Sequence, residues 1–159
     1  MDINNVIETY KNTVYSIALS HTCNATDADD ILQDVFLIYF KKNKVFNDEE
    51  HRKAWLIRTT LNRCKKCTSS KWKKRTELNE NHAVSDNWQF ALEHQNDIFT
   101  AMQKLPANYR NVLHLYYFER LTTAQISEVA KIKHTTVRSQ LKRAREQMRE
   151  ILKEDYFYE

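Results

Sequence analysis

The side chains in this chain best suited to chemistry are Arg138, Ser139, Lys142, Arg143 and Arg145, crowded into LTTAQISEVAKIKHTTVRSQLKRAREQMR over residues 121–149. Guanidinium and ammonium groups meet phosphates and guanine edges, and hydroxyls such as those of Thr135, Thr136 and Ser139 donate to either. The chemistry is therefore that of holding DNA. Arg138 and Arg143 lie about a turn and a half apart and are expected on one side of their helix.

Two helical segments must position these groups. Thr122 caps the first, and Gln125, three residues on, closes a capping box. Ile126, Val129 and Ala130 form its buried stripe, and Ile132 sits in the break that follows. Val137, Leu141, Ala144, Met148 and Ile151 then recur at spacings of three and four, which leaves the basic residues off the buried face. A short helix, a tight turn and a longer basic helix make the layout of a helix-turn-helix. The same pattern also fits an ordinary amphipathic pair with a solvated basic face.

A chain of 159 residues holds one domain or two small ones. Gly is absent and Pro occurs once, at Pro106. Strand-rich folds need Gly in turns and bulges, so the expected class is all-α. The net charge of +4 is modest but unevenly spread. Arg63, Lys65, Lys66, Lys71, Lys73, Lys74 and Arg75 make one basic run and the last helix makes another. Asp27, Asp29, Asp30 and Asp34 form one acidic cluster, and Asp48, Glu49 and Glu50 a second. Basic and acidic surfaces together suit a protein that touches both nucleic acid and a basic protein partner.

No stretch is long and apolar enough to insert in a membrane, and the N-terminus lacks the blocks of a signal peptide, so the chain is expected in the cytoplasm. Cys64 and Cys67 form a lone CxxC, with Cys23 as the odd thiol. A zinc site wants a second ligand pair, which is missing, so no metal and no cofactor is expected. Catalysis by metal chemistry needs carboxylates converging with His. Here the carboxylates sit on an exposed helix and in a loop, so no enzyme is expected.

Along the chain, Val6, Ile7, Tyr10, Val14, Ile17 and Ala18 mark a first helix. Thr26 is expected to cap a second, with Ile31, Leu32, Val35, Phe36 and Tyr39 on its buried face. Residues 43–50 read as a polar loop with Phe46 as an isolated aromatic, and a third helix runs from Ala54 to Lys66 or beyond. Residues 76–90 read as a linker, polar up to about Asn87, with apolar character resuming at Trp88, Phe90 and Leu92 and continuing through Ile98, Ala101, Met102 and Leu105. Pro106 fits the first position of the next helix, whose apolar face is Val112, Leu113, Tyr116 and Tyr117. The expected organisation is two small helical domains, residues 1–75 and 91–159, joined by a flexible tether. The second is a four-helix domain carrying the helix-turn-helix.

Three features stand out in the first half. DADDILQDVF (residues 27–36) puts Asp30, Gln33 and Asp34 on one helical face, which suits docking to an Arg-rich helix or simple solvation. AWLIRTTLN (residues 54–62) sets Trp55 with Arg58 and Asn62 on related turns, followed by Lys65 and Lys66. An aromatic beside donors stacks and reads unpaired bases, although Trp55 also fits a core. Phe46 precedes that helix in the loop.

In order and spacing, these segments resemble the sigma-70 family and, within it, the small extracytoplasmic-function (ECF) sigma factors. DADDILQDVF is similar to the family's core-binding helix, and KVFNDEEHRKAWLIRTTLN (residues 44–62) to its promoter-melting and −10-reading segment. LPANYRNVLHLYYFERLTTAQISEVAKIKHTTVRSQLKRAREQMREIL (residues 105–152) is similar to its −35-reading domain. The resemblance implies a specificity subunit of bacterial RNA polymerase. Asp30, Gln33 and Asp34 then match the face that docks on the polymerase clamp helices. Phe46, Trp55, Arg58, Asn62, Lys65 and Lys66 match positions facing the melted −10 strand. Thr135, Thr136, Arg138, Ser139, Lys142 and Arg143 match the face that enters the −35 major groove. The implied partners are core RNA polymerase, through its clamp helices and flap, promoter DNA in double- and single-stranded form, and an anti-sigma factor.

The chain departs from the family pattern at several points. Arg120 and Lys131 stand where the family commonly has Gly, Lys133 replaces the usual Ser or Thr cap, and Gln140 sits where Arg is frequent. A left-handed backbone at Lys131 costs about 1–2 kcal/mol. The competing function is a stand-alone helix-turn-helix transcriptional regulator, which binds its site without polymerase.

Overall fold

The computed structural model describes residues 2–70 and 96–157. Those residues are helical throughout their elements, with no strand among them. The chain divides into two compact units, Met1–His82 and Ala83–Glu159. The linker expected over residues 76–90 lies outside the described residues, as do Lys71, Lys73, Lys74, Arg75, Trp88, Phe90 and Leu92.

The first unit packs α1 (Ile3–Thr22), α2 (Ala25–Lys42) and α3 (Glu49–Ser70). Val6, Val14 and Ile17 of α1 meet a core that also holds Ile31 and Val35 of α2 and Leu56, Ile57 and Thr60 of α3, all at most 2% exposed. Thr60 is tolerated there because its hydroxyl donates to the Leu56 carbonyl at 2.6 Å. The Tyr10 hydroxyl donates to Glu49 Oε2 at 2.6 Å and ties α1 to the start of α3.

Two boundaries differ from expectation. Asn24, not Thr26, caps α2: its Oδ1 accepts the Asp27 N–H at 2.9 Å, so Thr26 falls inside the first turn. The third helix begins at Glu49, five residues before Ala54, because Asp48 Oδ1 accepts the His51 N–H at 2.7 Å and starts the helix there. Glu49 and Glu50 then lie in its first turn, where the helix dipole favours negative charge.

The second unit runs through α4 (Asn96–Gln103), α5 (Ala107–Leu113), a π-helical turn (His114–Phe118), α6 (Thr123–Ala130) and α7 (His134–Phe157). Its core is Ala101, Met102, Leu105, Val112, Leu113, Leu115, Ile126, Val129, Val137, Leu141 and Ala144. Pro106 is the cap of α5 and not its first residue. The π-helical turn also changes the expected apolar face. Leu115 is buried, Tyr116 is half-buried and Tyr117 is 52% exposed, since the wider turn rotates the two tyrosines away from the core.

A chain without Gly must reverse direction with other residues. Cys23, Asn43, Arg120 and Lys131 all hold a left-handed backbone, with φ of 54°, 47°, 58° and 55°. Asn accepts this region readily, whereas the other three bear the Cβ clash in full.

Candidate nucleic-acid interface

In the second unit, α6 begins with the expected capping box: Thr122 Oγ1 accepts the Gln125 N–H at 3.1 Å and Gln125 Oε1 accepts the Thr122 N–H at 2.9 Å. The turn after α6 is fixed by Ser127. Its carbonyl accepts the N–H groups of Lys131 and Ile132, and its hydroxyl donates to the Ile132 carbonyl at 2.6 Å. Lys133 precedes α7 and carries no acceptor, so it cannot cap that helix as Ser or Thr does. A different tie replaces the cap. Thr123 Oγ1 and His134 Nε2 are 2.6 Å apart and join the first residue of α6 to the first residue of α7.

Val137, Leu141 and Ala144 turn inward, and Thr135, Arg138, Ser139, Lys142, Arg143 and Arg145 are exposed as expected, with Thr136 half-buried. An open groove of about 610 Å³ is lined by Thr123, Thr135, Arg138, Ser139, Lys142 and Arg145, among others. Arg143 does not line it. Five residues of α-helix separate Arg143 from Arg138 by about 140° around the axis, so the two are not on one side. The Ser139 hydroxyl donates to the Thr135 carbonyl at 3.0 Å, which leaves its oxygen free to accept from a ligand.

The sequence places Arg145 on the cationic face of this helix but gives no sign of the two tyrosines that hold it. Its Nε donates to the Tyr117 hydroxyl at 2.7 Å, and its guanidinium lies 5.3 Å from the Tyr116 ring centroid and 5.6 Å from that of Tyr117. The two tyrosines meet edge to face at 4.9 Å. They present the cation at the groove in a held orientation. His134 was missed, and the signal available for it was its place at the start of the basic helix α7.

In the first unit, Gln33 is exposed while Asp30 and Asp34 are half-buried. Asp34 Oδ2 pairs with Arg63 Nη2 of α3 at 2.5 Å, so the face expected to be acidic and open is partly engaged within the chain. Phe46 is not isolated. It stacks parallel on Tyr39 at 5.9 Å and meets Trp55 and His51 edge to face at 5.8 and 5.2 Å. The Arg52 guanidinium covers the Phe46 ring at 5.2 Å, and its Nε donates to the Tyr39 hydroxyl at 3.2 Å. Trp55 is half-buried, in contact with Tyr39 at 5.9 Å. A pocket of about 480 Å³ beside this cluster is lined by Ile3, Tyr39, Phe40, Asn43, Lys44 and Arg52.

Farther along α3, Arg58 is half-buried and Asn62, Lys65 and Lys66 are exposed. The spacing from Trp55 through Arg58 and Asn62 to Lys65 and Lys66 keeps them along one side of the helix. Cys64 and Cys67, on the inner side, are buried thiols and form no disulfide. Burial raises the Cys64 pKa far above the ordinary thiol range, with the Cys67 thiol as a smaller cause. Such a group is a poor nucleophile at neutral pH. Among the described residues no three His, Cys, Asp or Glu converge where a metal could sit, and no helix is long and apolar enough to cross a membrane.

Comparison with known proteins bears on both units. Residues 6–74 match the family model of Sigma-70 region 2, and residues 95–148 match that of Sigma-70, region 4. The chain is similar to the ECF RNA polymerase sigma factor SigM of Bacillus subtilis, 28% identical with 95% of each chain covered. It is also similar to the ECF RNA polymerase sigma factor SigW of the same organism, 24% identical over 94% of this chain and 88% of the relative. Its fold is similar to that of the sigma factor RpoE solved in complex with the anti-sigma factor NepR from Bartonella quintana. The TM-score is 0.70 at 19% identity, covering 94% of this chain and 96% of that one. CnrH, solved in complex with the cytosolic domain of CnrY, gives a TM-score of 0.69 at 20% identity, covering 96% and 88%.

Proposed function

The chain belongs to the sigma-70 family as an ECF RNA polymerase sigma factor, and on that premise we propose how its residues share the work of starting transcription. A factor of this kind binds core RNA polymerase and directs initiation at promoters through their −10 and −35 elements. The stand-alone regulator is not favoured, since the first unit matches Sigma-70 region 2.

In this reading Asp30, Gln33 and Asp34 dock on the polymerase clamp helices, where opposite charge steers the encounter. Phe46 accepts an unstacked −10 base against the Tyr39 and Arg52 cluster. Asn62 reads a base edge, Trp55 supports the aromatic wall, and Arg58, Lys65 and Lys66 hold the strand's phosphates. Thr135, Thr136, Arg138, Ser139, Lys142 and Arg143 face the −35 duplex, and the same unit meets the polymerase flap. In this reading residues 1–75 serve polymerase and the −10 strand and residues 91–159 serve the −35 duplex, and the chain acts in the cytoplasm, without catalysis of its own. An anti-sigma factor restrains it, as NepR partners RpoE in the structure of similar fold.

The observation that carries the −35 assignment is the exposed cation and hydroxyl face of α7, braced against α6 by the Thr123–His134 tie. The test is to mix the pure chain with core RNA polymerase and sequence the transcripts made. A set of start sites sharing one −10 and one −35 sequence is the expected result. A chain that ignores core polymerase yet binds a duplex site tightly by itself is a regulator instead.

A further inference from the structure

Asp34 and Arg63 sit on the two helices to which different tasks fall, docking on α2 and strand reading on α3, and they hold each other at 2.5 Å. Both side chains are about a third open to solvent, Arg63 at 32% and Asp34 at 37%. Among the described residues, the Arg63 guanidinium makes this one ion pair and leaves its Nε buried without a partner. A guanidinium has five donors, so Arg63 keeps solvent-facing N–H groups that a ligand can take over from water, besides its buried Nε. It follows Asn62 directly and stands one turn before Lys66, at the edge of the exposed face formed by Asn62, Lys65 and Lys66. One carboxylate is thus shared between a cation of its own chain and the cations of a docking partner.

We propose that Arg63 is a further strand-binding residue, masked by Asp34 in the free chain and released when Asp34 docks on core polymerase. This rests on the docking role assigned to Asp34 above. A basic polymerase surface that pairs with the Asp34 carboxylate competes with the internal bond, which is weak enough to exchange because it is partly solvated. The freed guanidinium then reaches the phosphate backbone of the strand lying along Asn62 and Lys66. Docking and DNA affinity become linked through one ion pair, so the chain holds promoter strand more tightly with polymerase than without it.

The full-length chain and its variants Asp34→Asn, Arg63→Gln and the double substitution are titrated with a labelled oligothymidine single strand at several salt concentrations. Asp34→Asn is expected to bind about two- to fivefold tighter than wild type. Its dependence of log affinity on log salt should steepen by about 0.7, one counterion released from a single strand. Arg63→Gln in the free chain matches wild type, and the double variant loses the gain. Bound to core polymerase, Arg63→Gln holds the strand less tightly than wild type. Arg63→Leu, which keeps the apolar stem, replaces Gln if the helical signal of that variant falls. An Asp34→Asn gain that survives in the double variant is a general charge effect and overturns the proposal, as does the absence of any gain. Co-elution with core polymerase is measured alongside. If Asp34→Asn co-elutes as wild type does, the docking role of Asp34 fails, and with it the release step. If co-elution is lost but strand affinity does not change, the docking role stands and Arg63 is not masked.

Discussion

Thr123 Oγ1 and His134 Nε2 stand 2.6 Å apart, each on the opening residue of one helix of the helix-turn-helix. The bond sets the angle at which α7 leaves the turn in a chain whose Lys133 cannot cap it. Thr123→Val, which keeps the shape and deletes the hydroxyl, should lower the stability of the second unit by about 0.5–1.5 kcal/mol. His134→Ala should cost a similar amount, and the two together less than their sum. Thermal melts followed by circular dichroism test this, and fully additive losses show that the two side chains are not coupled.

The groove divides the two arginines proposed to meet the −35 duplex. Arg138 lines it and Arg143 does not. Arg138→Ala should cost about 1–3 kcal/mol and relax preference at one −35 position. Arg143→Ala should weaken all −35 sequences alike and lower the salt slope by about one. Binding to a library of −35 variants at two salt concentrations separates these outcomes, and identical profiles contradict the division.

Phe46 rests on Tyr39 under the Arg52 guanidinium. Phe46→Ala removes a stacking surface worth about 1–3 kcal/mol per base and should slow open-complex formation on a duplex promoter. Tyr39→Ala, which takes away the surface beneath, should act in the same direction. A pre-melted bubble should restore only the part due to melting, and wild-type rates from both variants on duplex templates exclude the role.

Much of this was legible in the sequence. The capping box at Thr122 and the stripe Ile126, Val129, Val137, Leu141 and Ala144 depend on short-range spacing alone, and so did the cationic face of α7. The start of α3 was hidden because its first turn, Glu49 to Arg52, is polar and shows no apolar period, although Asp48 is a good cap. Asn24 and Thr26 are two competent caps two residues apart, and spacing does not choose between them. The Asp34–Arg63 pair joins residues 29 apart in sequence, and the seat of Phe46 depends on how α2 and α3 pack. Neither has a local signal.

Alkali should weaken the first unit. Burial, with Asp29 as a smaller cause, pushes the Tyr15 hydroxyl from 10.0 up to about 12, and burial also raises Cys64 from its ordinary 9.0. The unfolded chain therefore gives up these protons first, and stability falls as pH rises above about 9 to 10. Each group contributes up to about 1.4 kcal/mol per pH unit between its unfolded and folded values. Denaturant melts from pH 8 upward should show this decline, and Tyr15→Phe should flatten part of it. A decline unaltered by that variant rules out Tyr15 as a source.

Lys131 holds its left-handed backbone against its own Cβ. Lys131→Gly should raise the stability of the second unit by about 1 kcal/mol, read as a higher melting temperature. A lower one shows that the lysine side chain contributes more than its backbone strain costs.

The π-helical turn His114–Phe118 is, counted in chain length, one residue more than an α-helix needs. That surplus turns whatever follows it by about 100° about the helix axis. It thereby brings Tyr116 and Tyr117 together under Arg145, whose Nε meets the Tyr117 hydroxyl at 2.7 Å. The segment behaves as a counted spacer: deleting one residue shifts the reach of α5 toward α7 even if every remaining side chain is kept. Grafts of this helix-turn-helix onto another scaffold must therefore carry the spacer whole, because here length specifies the contact as much as identity does.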